Sequence, residues 1–227
     1  MAKRKLQRFA ENATFTHFFQ PEWDELSSGF LLRGKWNDDF FKNGNPVIIE
    51  MGCGKGEYTV DLSDKYPERN FIGIDKKGAR MWKGGKTSHE NAMPNVAFVR
   101  SHAEMVGSIF EAGEVDELWI TFPEPQPNSP RSKKRFTSSQ FLDRYRSILK
   151  PGGIIHLKTD SELVYESTLE LVLAENYPLQ YSCDDLYQNA AIEQLKDVME
   201  VQTHYEKIWL GKGFKIKYLS FSLTPKA

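Results

Sequence analysis

The stretch that decides the fold is Val47-Ile48-Ile49-Glu50-Met51-Gly52-Cys53-Gly54-Lys55-Gly56-Glu57. It begins with a short β-branched apolar run, which is typical of a buried strand, and continues into three closely spaced glycines. Glycine lets a backbone turn tightly and approach a ligand closely, and Glu57 opens a stretch of helical character. We therefore predict a strand, a ligand-binding glycine loop and a helix, in that order.

Short β-rich runs alternate with longer amphipathic runs from about residue 46 onward, and the further strand candidates are 71–75, 96–99, 117–122 and 154–158. This alternation predicts βαβ units in a doubly wound, mostly parallel α/β sheet. Residues 214–221 alternate apolar and polar side chains, which predicts an antiparallel edge strand with one face in water. We divide the chain into an N-terminal arm with a short helix at 1–45 and an α/β domain at 46–227.

The composition is that of a soluble globular protein, with 227 residues, 40% hydrophobic and 27% charged. The formal net charge of −1 means that any affinity for phosphate must come from local patches. Two cysteines, Cys53 and Cys183, lack the spacing of metal ligands, so we expect a reducing compartment and no metal site. The sequence has no apolar run long enough for a membrane span and no signal peptide, and we expect a cytoplasmic protein.

The glycine loop favours one class of cofactor. Glu57 stands where a dinucleotide fingerprint has its last glycine, and an acid at that helix end repels a pyrophosphate. S-adenosylmethionine, a cation without phosphate, suits the loop better than NAD does. Asp75 ends the second strand, where a carboxylate can accept hydrogen bonds from both ribose hydroxyls, although it can also be a helix N-cap. His102 follows the third strand, either at the adenine edge or as a cap or surface histidine.

A second motif, Phe122-Pro123-Glu124-Pro125-Gln126-Pro127, follows the fourth strand. It places a carboxylate between prolines and is followed by a basic run that contains Arg131, Lys133, Lys134 and Arg135. The fixed carboxylate indicates a role in catalysis or in ligand recognition, and the cations indicate contact with a polyanion. The alternative is an ordinary solvated charged face. The basic N-terminus, with Lys3, Arg4, Lys5 and Arg8, is either a second contact with RNA or a disordered tail.

These motifs, in this order, resemble those of bacterial tRNA (guanine-N7)-methyltransferases, which are class I S-adenosylmethionine-dependent enzymes. The resemblance covers about residues 46–223 and also includes Thr159-Asp160 and Thr203-His204-Tyr205-Glu206. It implies a Rossmann-like, seven-stranded, mostly parallel sheet with an antiparallel C-terminal edge strand. It also implies methyl transfer to N7 of a guanosine in tRNA, namely the variable-loop guanosine 46.

The resemblance further implies roles for individual residues. Catalysis would depend on Glu124 and Asp160. The cofactor would be bound by Glu50, Gly52, Gly54, Gly56, Asp75, His102 and Glu124. The substrate nucleotide would contact Asn128, Asp160, Thr203 and Glu206, and the tRNA backbone would contact Arg131, Lys133, Lys134 and Arg135. The partner would be tRNA, bound by a monomer or a homodimer.

The sequence departs from the family pattern at four positions. The family usually has Asp followed by Pro-Trp, whereas this chain has Glu124-Pro125-Gln126, and Asn128 replaces a common lysine. His102 replaces a usual Asp or Asn. Two of the sites also have a purely structural alternative, because Asp160 with Ser161 can cap a helix and Thr203-x-x-Glu206 has the spacing of a capping box.

Three other functions remain open on the sequence alone. A class I methyltransferase that modifies a small molecule or a protein is favoured by the modest net charge and opposed by the basic run. An RNA-binding module with a degenerate cofactor site is motivated by the changes at Gln126, Asn128 and His102. An NAD-dependent oxidoreductase is opposed by Glu57.

Overall fold

The computed structural model describes residues 2–127, 129–189 and 192–224. In this part of the chain one sheet contains eight strands in the order β1-β4-β3-β2-β5-β6-β8-β7. The strands are β1 Phe18–Phe19, β2 Val47–Met51, β3 Asn70–Asp75, β4 Val96–Arg100, β5 Val115–Thr121, β6 Leu149–Thr159, β7 Leu179–Cys183 and β8 Lys217–Ser222. Strands β1 to β6 pair in parallel with one another, and β8 is antiparallel to both β6 and β7.

Helices connect the strands on both faces of the sheet. They are α1 Ala2–Asn12, α2 Trp23–Ser28, α3 Glu57–Lys65, α4 Gly78–Glu90, α5 Val106–Ile109, α6 Ser139–Arg146, α7 Glu162–Ala174, α8 Glu193–Glu200 and α9 His204–Gly211. Shorter 3-10 turns span Ala103–Met105, Ser129–Lys134 and Tyr187–Asn189, and a π-helix spans Trp36–Phe41. Within the described residues, no helix is long and apolar enough to cross a bilayer.

The predicted doubly wound, mostly parallel sheet is confirmed, and its cause is visible in the packing of the central strand. Alternate residues of β2 enter different cores, with Ile49 packed in one hydrophobic cluster and Ile48 in another. Because successive side chains of a strand point to opposite faces, a strand with apolar residues on both faces must be covered on both sides. Helices α6 and α7 contribute to the first cluster, and α3 contributes to the second.

The C-terminal strand is antiparallel as predicted, but its predicted place at the edge is wrong. Strand β7 pairs with its outer side, and the whole of β8 is buried. The polar residues that suggested a wet face are accommodated inside, and Lys217 forms an ion pair of 2.9 Å with Glu162. The sheet also has one strand more than the seven implied, because Phe18–Phe19 adds a short parallel strand beside β4.

The described part of residues 1–45 packs against the rest of the chain. Asn12 in α1 donates a hydrogen bond of 2.9 Å to the carbonyl of Gly78, at the start of α4. The indole of Trp36 is fully buried and donates to the carbonyl of Ile109. Both contacts fix the N-terminal segment on the α/β unit.

Candidate active site

A cavity of about 480 Å³ opens at the carboxyl ends of the central strands. This is the edge at which open α/β sheets bind ligands. Its walls come from the glycine loop, from the ends of β3 and β5, from the turn after β4 and from the start of α9. Predicted site residues that line it are Glu50, Gly52, Gly54, Asp75, His102, Glu124, Lys134 and Thr203.

The three glycines of the loop have different reasons for being glycine. All have a left-handed backbone, with φ of 76° at Gly52, 58° at Gly54 and 72° at Gly56. A Cβ on Gly52 would lie 2.6 Å from the ring of Phe136, and one on Gly56 would lie 2.5 Å from the ring of Phe98. A Cβ on Gly54 would meet no described atom nearer than 3.9 Å. Gly52 and Gly56 are therefore required by packing, whereas Gly54 leaves room for a ligand.

Asp75 holds the glycine loop by its backbone. One carboxylate oxygen accepts from the amide of Gly54 at 3.0 Å, and the other accepts from the amide of Lys77 at 2.8 Å. Lys77 is the N-cap of α4, and its side chain makes no capping bond. Each oxygen of Asp75 uses one lone pair in these contacts, so the carboxylate can still accept hydrogen bonds from a ligand in the cavity.

Glu50 lies beneath the loop and is almost fully buried. Its two oxygens accept from the hydroxyls of Thr59 at 2.5 Å and Thr121 at 2.6 Å. Burial raises the pKa of Glu50, and the two hydroxyls oppose that shift. Since both oxygens are held from within the protein, Glu50 is a rigid acidic floor of the cavity.

Glu57 lines the cavity as well, but its charge is compensated. Its carboxylate pairs with Lys83 and lies 3.9 Å from Lys55. The predicted repulsion of a pyrophosphate by Glu57 is therefore weaker than its position alone indicates. His102 is exposed at the cavity wall and makes no capping hydrogen bond in the 3-10 turn that it precedes.

The proline-acid motif adopts an unusual backbone. Phe122 and Gln126 both have a left-handed φ, of 47° and 46°, which residues other than glycine rarely adopt. Such conformations persist only where the surroundings hold them, and they cluster at functional sites. Arg135 supplies that support, since its guanidinium donates to the carbonyls of Pro125 at 3.1 Å and Gln126 at 3.3 Å.

The carboxylate of Glu124 is presented at the cavity by this loop. Its side chain is 77% exposed, and its nearest cation is Lys77 at 3.8 Å. Gln126 donates to the other oxygen of Glu124 at 3.1 Å. The glutamine that replaces the usual tryptophan therefore orients the carboxylate.

The four cations of the basic run lie in different places. Arg131 and Lys133 are exposed outside the cavity, Lys134 lines it, and Arg135 is half-buried behind the motif. Arg135 therefore supports the loop, and only the first three are free to meet a polyanion. The remaining predicted residue of this stretch, Asn128, lies outside the described residues.

The structure also places Asp160, Thr203 and Glu206 in three different positions relative to the cavity. Asp160 follows β6 and is half-buried, but it is not one of the described residues that form the cavity wall. The helix behind it is capped by Ser161. Thr203 and Glu206 form the predicted capping box, with hydrogen bonds of 3.0 and 3.2 Å. Thr203 faces the cavity, whereas Glu206 is completely buried.

Sequence reasoning missed several residues of the cavity wall. Thr121 had a usable signal, because it ends a strand at the ligand-binding edge. Tyr205 lies between two residues of a predicted motif and is half-exposed at the wall. Phe136 had no signal in the sequence, since only the fold brings it over Gly52.

Comparison with known proteins agrees with this geometry. The family model Methyltransf_4, described as "Putative methyltransferase", matches residues 44–219. A tRNA (guanine-N(7)-)-methyltransferase of Christiangramia forsetii is 47% identical over 98% of this chain and 99% of its own. One of Porphyromonas gingivalis is 48% identical over 92% of this chain and 86% of its own.

Solved structures support the fold. The 16S rRNA methyltransferase KamB aligns with a TM-score of 0.60 at 17% identity, covering 80% of this chain and 89% of its own. A second structure is that of a 16S rRNA (adenine(1408)-N(1))-methyltransferase from Catenulisporales acidiphilia, a point mutant solved with SAM. It aligns with a TM-score of 0.53 at 14% identity and covers 91% of this chain and 94% of its own. These structures show the fold, and the sequence relatives show that the chain belongs to the tRNA (guanine-N7)-methyltransferase family.

Proposed function

We propose that this protein transfers a methyl group from S-adenosylmethionine to N7 of a guanosine in tRNA. The observation that carries the proposal is a single cavity that joins the glycine loop and Asp75 to Glu124 and Lys134. One wall of the cavity suits an adenosine-containing cofactor, and the other combines a carboxylate with a cation at the solvent edge. The names of relatives at 42–48% identity supply the substrate class.

The residues present fit S-adenosylmethionine. Gly54 leaves space for it, Asp75 has free lone pairs for its ribose, and the acidic floor formed by Glu50 is compatible with a cation. We assign the cofactor to Glu50, Gly52, Gly54, Asp75 and His102, with Gly56 required for the shape of the loop. When bound, S-adenosylmethionine supplies an electrophilic methyl group.

The protein's own task is then mainly positioning. Guanine N7 has a free lone pair, so the residues need not remove a proton to make it a nucleophile. Glu124 can accept hydrogen bonds from the N1–H and N2–H₂ edge of guanine and so orient the base. As the base gains positive charge, a preorganised carboxylate stabilises the transition state more than the ground state. We assign Asp160 and Thr203 to the same nucleotide.

The tRNA backbone meets the exposed cations Arg131 and Lys133, together with Lys134 at the cavity. One chain supplies both walls of the cavity, so the proposal holds for a monomer or a homodimer. We place the protein in the cytoplasm, where tRNA is modified, and we infer the variable-loop guanosine as the target.

The direct test is incubation of the protein with radiolabelled S-adenosylmethionine and an unmodified tRNA transcript. Methylated guanosines are then mapped by reduction and aniline cleavage. The proposal expects one strong cleavage site, in the variable loop. Label transfer without any cleavage site would contradict N7 methylation, and label transfer to protein instead of RNA would favour a different substrate class.

Gly54 provides a test of the cofactor wall. Gly54→Ala is expected to weaken S-adenosylmethionine binding by about tenfold or more, because the added methyl group occupies cavity space that we assign to the cofactor. The strain of a left-handed alanine, about 1–2 kcal/mol, lowers the stability of the fold instead. Calorimetric titration measures the Kd. The matched control is Gly113→Ala, which also has a left-handed φ, of 71°, and open space around its Cβ but lies outside the cavity. Equal Kd values for the two variants would contradict the assignment of Gly54.

The exposed lysines of the basic run provide a test of the RNA surface. Lys133→Glu/Lys134→Glu is expected to raise KM for tRNA and to lower the slope of log KM against log salt by about 1–2, since each phosphate contact contributes roughly one unit. Lys35→Glu/Lys42→Glu is the control, because both lysines are exposed beside the π-helix, outside the cavity wall. If both double variants leave the slope of log KM against log salt unchanged, the basic run is an ordinary charged surface that does not contact tRNA.

A further inference from the structure

The most deeply buried ion pair of the described residues lies directly behind the cavity and has no role in the mechanism above. Lys158 and Glu206 have side chains with 0% exposure, and Lys158 Nζ lies 2.8 Å from Glu206 Oε1. Lys158 belongs to β6, in the middle of the sheet, and Glu206 belongs to the first turn of α9. The pair therefore joins the sheet to a helix that helps to form the cavity wall.

Every polar atom of the pair has a partner inside the protein. Lys158 Nζ also donates to the carbonyls of Val198 at 2.6 Å and Val201 at 3.0 Å, so its three N–H groups have three acceptors. Glu206 Oε1 also accepts from the hydroxyl of Tyr187 at 2.7 Å, and Oε2 accepts from the amide of Thr203. The carboxylate of Glu206 thus faces inward, with both oxygens bonded within the protein and no exposed surface.

The backbone of Lys158 extends the same connection to the motif loop. Its carbonyl accepts a hydrogen bond of 2.8 Å from the amide of Phe122, the residue that begins the proline-acid motif. One residue of β6 thus holds Phe122 through its backbone and α9 through its ammonium group. These are the two elements that bring Glu124 and Thr203 to the cavity.

We propose that Lys158 and Glu206 are positioning residues, which set the distance between the motif loop and the first turn of α9 without touching the substrate. Thr203, His204 and Tyr205 project into the cavity from the turn that Glu206 anchors. The inference rests on the proposed function, and it reassigns Glu206 from a contact with the nucleotide to a support behind it. Positioning errors of about 1 Å from a distant change can cost up to about 100-fold in rate.

The test uses Lys158→Met/Glu206→Gln in the full-length protein. Replacing both members of a buried pair by neutral residues is often tolerated, and Gln at the third position of α9 preserves the capping box. We expect a urea midpoint close to that of the unsubstituted protein, an unchanged Kd for S-adenosylmethionine and a KM for tRNA within about threefold, whereas kcat falls about 10- to 100-fold. Binding of tRNA in the presence of S-adenosylhomocysteine, followed by fluorescence anisotropy, should also remain unchanged.

Tyr187→Phe is a second and milder variant, which decides the question if the double variant does not fold. It removes one hydrogen bond to Glu206, and Tyr187 does not line the cavity, so positioning predicts a kcat that is lower by a few-fold at constant KM. A raised KM with normal kcat in the double variant would show that Glu206 touches the nucleotide. Normal kcat in every folded variant would also overturn the proposal. An unsubstituted protein that makes no N7-methylguanosine would overturn the proposed function instead.

Discussion

Replacement of Glu124 by glutamine is expected to lower kcat by about 100- to 1,000-fold, the loss typical for a preorganised group that stabilises transition-state charge. Glutamine keeps the length and the hydrogen-bonding shape of the side chain but removes its negative charge. The positive charge that the guanine ring gains on methylation would then face a neutral amide. Glu124→Ala, which also removes the contact with the base, is expected to lose at least as much.

Cofactor affinity should fall far less than turnover in these variants. Most of the residues that we assign to the cofactor belong to the glycine loop, Asp75 and the turn after β4, whereas Glu124 belongs to the proline-acid motif and is 77% exposed. Single-turnover kinetics with tRNA measure the chemical step, and calorimetry measures the Kd of S-adenosylmethionine. Unchanged turnover in Glu124→Gln would remove Glu124 from the mechanism.

Glu124→Asp tests how far the acidic side chain must extend to contact the base. The family usually has aspartate at this position, and the backbone here carries a left-handed residue on each side of the motif, at Phe122 and Gln126. If that geometry places the backbone further from the base, the shorter side chain should recover only part of the activity. Full activity in Glu124→Asp would show that the motif loop positions an aspartate and a glutamate carboxylate equally well.

The sequence predicts the sheet and the glycine loop well because both depend on local patterns. A strand with apolar side chains on both faces, such as Val47–Met51 with Glu50 as its one polar residue, is expected to be buried on both sides, and the three glycines after it favour a tight turn. The position of β8 could not be predicted in the same way. Its alternation of polar and apolar residues is satisfied by water or by buried partners such as Glu162, and only the tertiary structure decides between them.

The residues of the site divide in the same way, into those that sequence patterns predict and those that only the tertiary structure reveals. The ligand-binding edge follows from topology, so the sequence alone predicts that Asp75 and Glu124 lie at one cavity, and both line it. Asp160 is predicted for the same edge but is not among the described residues of the cavity wall. The role of Arg135 could not be predicted, because a cation within a basic run gives no sign that it will turn inward to hold the carbonyls of Pro125 and Gln126. Glu206 is the converse case, since its capping-box spacing correctly indicated a structural contact but not the buried lysine beneath it.

That lysine leads to the largest expected change in stability. Lys158→Met alone leaves the carboxylate of Glu206 buried without its charged partner, and breaking such a pair from one side typically costs about 3–5 kcal/mol. Total stabilities of domains are about 5–15 kcal/mol, so the single variant should be close to unfolding at 37 °C. Burial lowers the pKa of Lys158, and Glu206 opposes that shift.

Lys217→Met is the matched control for this effect. Lys217 is nearly as buried as Lys158 and lies on the adjacent strand, but its partner Glu162 is 63% exposed. Once Lys217 is removed, water can solvate that carboxylate, and the loss should be about 0–1 kcal/mol, as for exposed pairs. Urea denaturation followed by circular dichroism measures both variants. Similar losses in the two would show that burial of the partner does not determine the cost. A loss confined to Lys158→Met would assign it to the buried acceptors that Lys158 leaves without a donor, namely the carboxylate of Glu206 and the carbonyls of Val198 and Val201.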